Sequence, residues 1–201
     1  MHELAVTNEI ARKTGNISTN ILKIVSDLLD QELLWKIYEQ TFNDIPGCAQ
    51  QQMCYDERSF KCSLFDPEYI KFVIKSGNTP IGLSLATNNL AKARVSYMNP
   101  QFFENKYPIF YKKQKIYYVT ALCISPEHQN LKYIKALLHA MTCFIIENDS
   151  MVSFDFSENK NSLLPKIIKM IGENIGIPIT GEKLDTQTYF ELHGALNSKP
   201  E

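Results

Sequence analysis

The chain has 201 residues, of which 44% are hydrophobic and 21% charged, and its formal net charge is -1. Those values fit one globular domain with a sizeable core and exclude the sequence-wide basic field on which nucleic-acid binders rely. No apolar run reaches bilayer length and the N-terminus MHELAVTNEI has no basic-then-apolar leader, so a soluble cytoplasmic protein is expected.

Taken in order, residues 1–16 read as an N-terminal arm and residues 17–195 as the folded domain, with both ends frayed on composition. Ile17–Val25 alternates weakly, as a first strand would. Leu33, Leu34, Ile37, Tyr38, Thr41 and Phe42 follow helical spacing, which Asn43-Asp44-Ile45-Pro46-Gly47 ends. Asp56–Leu64 reads as a short helix stopped at Asp66-Pro67. Tyr69–Lys75 and Ile81–Ala86 read as the strands of a hairpin turned at Ser76-Gly77-Asn78-Thr79-Pro80.

Thr87–Gln114 is a long connection in which Asn99-Pro100 has the form of a helix N-cap followed by proline. Its Phe102, Phe103, Tyr107, Ile109, Phe110 and Tyr111 are too apolar to stay in water. The connection therefore either covers a sheet edge or walls a substrate. Ile116–Ile124 has the nearly continuous apolar pattern of a strand buried on both faces. The next helix carries Tyr133, Ile134, Leu137, Leu138, Met141, Phe144 and Ile145 on one stripe.

Met151–Phe156 alternates as a strand, Ser162–Ile171 reads as a helix closed by Gly172, and Thr186–Leu192 pairs with Ile177–Lys183 as a last hairpin. Runs of sheet broken by helices give an α/β (α+β) domain with a mixed central sheet flanked by helices. The five cysteines are odd in number and irregularly spaced, which fits neither a disulfide framework nor a zinc knuckle. Cys123 and Cys143 lie in apolar segments and read as small buried hydrophobes. No metal site is expected.

Lys115–Met141 is the most informative stretch. An apolar strand ends in Ser125-Pro126-Glu127, crosses a short polar loop and opens directly into an amphipathic helix. That layout sets the orphan N–H groups and positive dipole end of a helix beside the end of a buried strand, where a phosphate or pyrophosphate would be favoured.

The element order, together with Ile124-Ser125-Pro126-Glu127-His128-Gln129-Asn130-Leu131-Lys132-Tyr133-Ile134-Lys135-Ala136-Leu137-Leu138, resembles the GNAT superfamily of N-acetyltransferases from about Ile17 to Leu192. Gln129 matches the family's Arg/Gln position. Lys132 and Ile134 stand at its two small-residue positions, and Asn130 replaces a common glycine. The later Asn161, Leu164, Ile167 and Gly172 follow a weaker family pattern. The resemblance implies a GNAT-like acyltransferase fold, with acetyl-CoA or a longer acyl-CoA as donor, or an acyl carrier protein. It sets Ile124 beside the pantetheine and Gln129, Asn130, Leu131, Lys132, Tyr133 and Ile134 around the phosphates; Asn159 and Asn161, after the following strand, are either polar contacts to a pantetheine amide or turn and cap residues. It also implies a small-molecule or peptide amine as acceptor, and a homodimer is a further expectation.

In such chemistry a neutral amine attacks a thioester, a base takes the surplus proton, and a donor assists the departing thiolate. The tyrosine that many family members use as that donor falls here on Ile168. Tyr117, Tyr118 and Tyr133 are the geometric substitutes, with core packing the alternative for each. Candidate bases are Glu127, His128, Asp155 and Glu158, of which Glu127 and Asp155, with Tyr118, form the catalytic set carried forward. On the acceptor side stand Trp35, Tyr38 and Tyr55-Asp56-Glu57-Arg58, with Arg58 either holding a carboxylate or joining a surface ion pair. Two readings stay open: an N-acyltransferase, and a catalytically inactive GNAT-like module that binds a ligand or protein partner.

Overall fold

A computed structural model of the protein describes residues 10–14, 16–42, 54–93, 98–156 and 163–186. Its strands are β1 (Ile10–Thr14), β2 (Ile17–Leu22), β3 (Tyr69–Ser76), β4 (Thr79–Thr87), β5 (Ile116–Ile124) and β6 (Met151–Ser153). Its helices are α1 (Leu28–Phe42), α2 (Glu57–Phe65), α3 (Pro100–Lys106), α4 (Pro108–Lys112), α5 (Leu131–Glu147) and α6 (Leu164–Asn174). Single 3-10 turns add Leu90–Lys92 and Pro126–His128.

The strands form one sheet in the order β1-β2-β3-β4-β5-β6, antiparallel from β1 to β5 and parallel between β5 and β6. The sheet begins earlier than the sequence suggests, because β1 lies inside the segment read as an arm and pairs with β2 from Ile10↔Ile21 to Thr14↔Ile17. The β3–β4 hairpin turns where expected, with Gly77 at φ 60, a left-handed conformation that glycine adopts without a Cβ penalty.

Local chemistry starts the helices. The Asp27 carboxylate accepts from the Asp30 N–H, Asp56 caps α2 by accepting from the Ser59 N–H, and Asn99 caps α3 ahead of Pro100.

On one face of the sheet, α1 and α2 bury Leu34, Ile37, Tyr38, Phe60 and Leu64 against Tyr69, Val73, Leu83, Leu85, Ala121 and Cys123. On the other, α5 and α6 bury Leu137, Leu138, Met141 and Ile171 against Phe72, Ala86, Val119 and Ile124. The aromatic connection covers a third cluster, in which Phe103, Leu90 and Ala93 close over Ile116 and Tyr118. Cys123 fits its apolar reading, and burial pushes its thiol up to about 12. Cys143 is half-buried beside the His139 ring.

Lys71 on β3 is fully buried, with 0% exposure. Its Nζ donates to the carbonyls of Lys23 at 2.6 Å and Tyr69 at 2.9 Å and to that of Asp66, one acceptor for each ammonium proton. Burial pulls its pKa down to about 7.

Two expectations for the C-terminal third are corrected. Ile177–Lys183 forms no strand among the described residues: the Ile177 N–H returns to the Gly172 carbonyl at 2.9 Å, and Pro178 has no N–H to give a ladder. Nor does Gly172 close α6, since the helix runs on to Asn174 and Gly176 supplies the left-handed residue, at φ 75. Gly172 is instead a site of close approach. A Cβ there would stand 2.7 Å from the Ile177 carbonyl oxygen and equally crowd Ile179. The proposed partner strand Thr186–Leu192 lies almost wholly outside the described residues.

Candidate functional site

The sheet opens between β5 and β6. They pair only as Ile116↔Met151, Tyr117↔Val152 and Tyr118↔Ser153, after which β5 continues to Ile124 while the chain leaves β6. The strand expected over Met151–Phe156 is therefore cut short, and Phe154 and Phe156 turn their rings to each other at 6.0 Å instead of extending the ladder. The result is a fork whose one wall is the backbone edge of Val119–Ile124. An extended chain can lie along such an edge and take its main-chain hydrogen bonds.

A bulge deforms β5 at the same level. Leu85 pairs with Ala121 and Ala86 with Val119, so Thr120 is the extra residue. The bulge turns Thr120 and Ala121 toward the same face: Ala121 enters the core beneath α1 and α2, and the Thr120 Oγ1 accepts from the Tyr55 hydroxyl at 2.9 Å. Tyr55 in turn gives its N–H to the Tyr38 Oη at 2.9 Å, and burial raises the Tyr38 pKa. Trp35, Tyr38, Tyr55 and Phe60 pack ring on ring around this link. Sequence reasoning placed Tyr55 among the acceptor-side residues but missed its bond to the central strand. A threonine inside an apolar run was the available sign.

Two of the expected catalytic residues meet at the fork. Tyr118, the last residue of β5 to pair with β6, donates its hydroxyl to the Asp155 Oδ1 at 2.7 Å. The phenol is buried and the carboxylate exposed. Glu127 does not join them. It sits exposed on the 3-10 turn beyond the far end of β5, about 20 Å of strand length from Tyr118. Tyr133 and Tyr117 pack with the core beneath α5, as does Ile168 on α6.

Gln129 to Ile134 gather at the start of α5, as expected, but two of the helix-start N–H groups are already engaged. Asn130 is the N-cap, and its Oδ1 accepts from the N–H of Lys132 at 3.0 Å and of Tyr133 at 3.3 Å. Gln129 turns back so that its Nε2 donates to the Ile124 carbonyl at 3.4 Å. Ile134 packs into the core beneath α5, Leu131 is exposed, and the Lys132 ammonium lies 6.0 Å from the Tyr133 ring centre. His128 is half-buried rather than solvent-facing. Its ring meets Tyr133 edge to face at 5.3 Å, and its Nδ1 is buried without a hydrogen-bond partner. A pyrophosphate at this helix start would have to displace the Asn130 side chain. Asn159, with Glu158 and Asn161, lies outside the described residues.

The Ile124 side chain is buried against α5, and Gly82 makes that end of β5 possible. A Cβ on Gly82 would stand 2.8 Å from the Cys123 carbonyl oxygen and 2.9 Å from the Ile124 Cγ1. Among the described residues no group of three or more His, Cys, Asp or Glu could hold a metal ion, and no helix is long and apolar enough to cross a membrane.

No protein-family model matches the chain, and no curated protein matches it. Solved structures do. An aminoglycoside acetyltransferase from an uncultured soil metagenomic sample, solved with trehalose, is 15% identical at a TM-score of 0.53, with 89% of this chain and 97% of that one covered. The same enzyme with sisomicin gives 16% identity, the same coverage and a TM-score of 0.53. An uncharacterized protein from Bacillus halodurans is 14% identical at a TM-score of 0.52, covering 80% of this chain and 78% of its own. With its meander, its parallel last strand and its fork between β5 and β6, the chain has the fold of the GNAT-type acetyltransferases.

Proposed function

We propose that the protein is an N-acyltransferase that moves an acyl group from a pantetheine thioester, whether of coenzyme A or of an acyl carrier protein, to a primary amine on a small molecule or peptide. The parting of β5 and β6 after Tyr118 and Ser153 carries this reading, because among the described residues it leaves a strand edge unpaired, against which a pantetheine arm can extend. The amine nitrogen attacks the thioester carbonyl, the C–N bond forms, and the C–S bond breaks to release a thiolate that takes a proton from solvent. Asp155 accepts the amine's surplus proton, and Tyr118 holds that carboxylate at the fork. The likeness in fold to an aminoglycoside acetyltransferase agrees with an amine acceptor without choosing one.

One observation favours the second reading, an inactive module. The Asn130 cap satisfies two of the helix-start donors, the N–H groups of Lys132 and Tyr133, that would otherwise call for an anion. Thiol release from acetyl-coenzyme A and S-acetyl-pantetheine, measured against a panel of polyamines, aminoglycosides and peptides, separates the two. The proposal expects amine-dependent release that Asp155→Asn lowers at least tenfold. No release with any pair, together with no thermal stabilisation by either thioester, would sink it and leave the binding module.

A further inference from the structure

The donor side of the fork and the start of α5 point to different chemistry. Among the described residues the fork leaves the Val119–Ile124 backbone edge without a partner strand, an arrangement suited to the amides of pantetheine. The helix start offers little to a pyrophosphate. The N–H groups of Lys132 and Tyr133 are held by Asn130, and no glycine stands from Gln129 to Ile134 to ease the close approach of a phosphate to the backbone. The exposed Glu127 carboxylate stands on the turn leading into the helix, and the Lys132 ammonium leans over the Tyr133 ring. The carboxylate offsets the ammonium, so this approach presents no cluster of cations to an anionic ligand.

We infer that the protein recognises its donor through the acyl-pantetheine arm alone, and that the nucleotide pyrophosphate of coenzyme A contributes nothing to binding. The inference rests on the acyltransferase reading and narrows its substrate class. The donor is a pantetheine thioester whose far end is not read by α5, supplied either as a free thioester or on the phosphopantetheine of a carrier protein. Asn130 is then a structural cap rather than a phosphate ligand.

Calorimetric titration of the full chain with S-acetyl-pantetheine, acetyl-coenzyme A and an acetylated acyl carrier protein tests this. The expected result is that the first two bind within about threefold of each other, and that raising the salt does not change their ratio. Tighter binding of the carrier-linked thioester would identify the carrier as the source, and equal binding the free thioester. Asn130→Gly frees both N–H groups and should create a preference for acetyl-coenzyme A of about tenfold, which is 1.4 kcal/mol. Should that variant fail to fold, Asn130→Asp keeps the cap while adding a negative charge, and should leave the ratio unchanged. A wild-type preference of tenfold or more for acetyl-coenzyme A, or its selective loss in Asn130→Asp, overturns the inference and leaves the acyltransferase reading standing. Failure of all three donors to bind overturns both.

Discussion

The Tyr118 hydroxyl and the Asp155 carboxylate meet at 2.7 Å across the point where β5 and β6 part. One partner is buried in the cluster beneath α3 and the other stands in solvent, so the bond ties the core to the fork. Hydrogen bonds to a charged group contribute about 1.5–3 kcal/mol, and an unsatisfied buried phenol costs a similar amount. Tyr118→Phe removes donor and demand together and should cost about 1 kcal/mol in urea unfolding. Asp155→Ala leaves the phenol without this acceptor and should cost more. Under the proposed chemistry Tyr118→Phe lowers kcat with KM unchanged. A fall in KM alone would contradict a positioning role.

Lys71 sets a pH dependence. Its folded pKa, near 7, lies below the unfolded value of about 10.4. Between those values the unfolded chain binds more protons than the native one, so this group's contribution to stability rises with pH across that window and is lost as pH falls toward 7. Lys71→Met takes one donor from each of three carbonyls, of which that of Asp66 keeps the Tyr69 N–H, and should destabilise by about 2 kcal/mol. Urea midpoints at pH 6.5 and pH 9 check both statements: the gap between wild type and Lys71→Met should widen at the higher pH. A gap that is constant or narrows would mean that the ammonium stays charged inside the fold.

Gly82 faces Ile124 across the β4–β5 ladder with no room for a side chain. Because one crowded atom is the Cys123 backbone oxygen, a rotamer change cannot relieve the clash. Gly82→Ala should cost about 1–3 kcal/mol by overpacking, read as a lowered melting temperature. In the same protein, thioester binding should weaken, since the end of β5 is the wall that moves.

Where hydrophobic pattern alone decides structure, the sequence was readable. Tyr69–Ser76, Thr79–Thr87 and Ile116–Ile124 are apolar runs that a central strand requires, and the stripe through Leu137, Leu138 and Met141 can only be a helix face. The cap at Asn99 was legible because it is local, whereas Asp56 was read as the first residue of its helix and is the cap before it. What escaped depends on backbone pairing or side-chain direction. The strand IARKT joins the sheet edge through its main chain, which leaves no apolar signature. Phe154 and Phe156 keep a strand's alternation after the ladder has ended. The Thr120 bulge is a matter of register, invisible without the partner strand. Asn130 was legible as a residue of the anion loop. That its amide turns inward to cap the helix follows from a rotamer, which sequence does not encode directly.

Strand order in this sheet follows chain order, which has a consequence for how the protein assembles. Each of β1 to β5 needs only its immediate predecessor, whereas β6 must wait for α5 to cross the sheet. The meander is therefore a self-contained early unit, and β6 is a late addition held by three residue pairs against five even for β1 and β2. Few described backbone pairs join β6 to β5, so parting them would widen the space along Val119–Ile124 and leave the pairings of the meander intact.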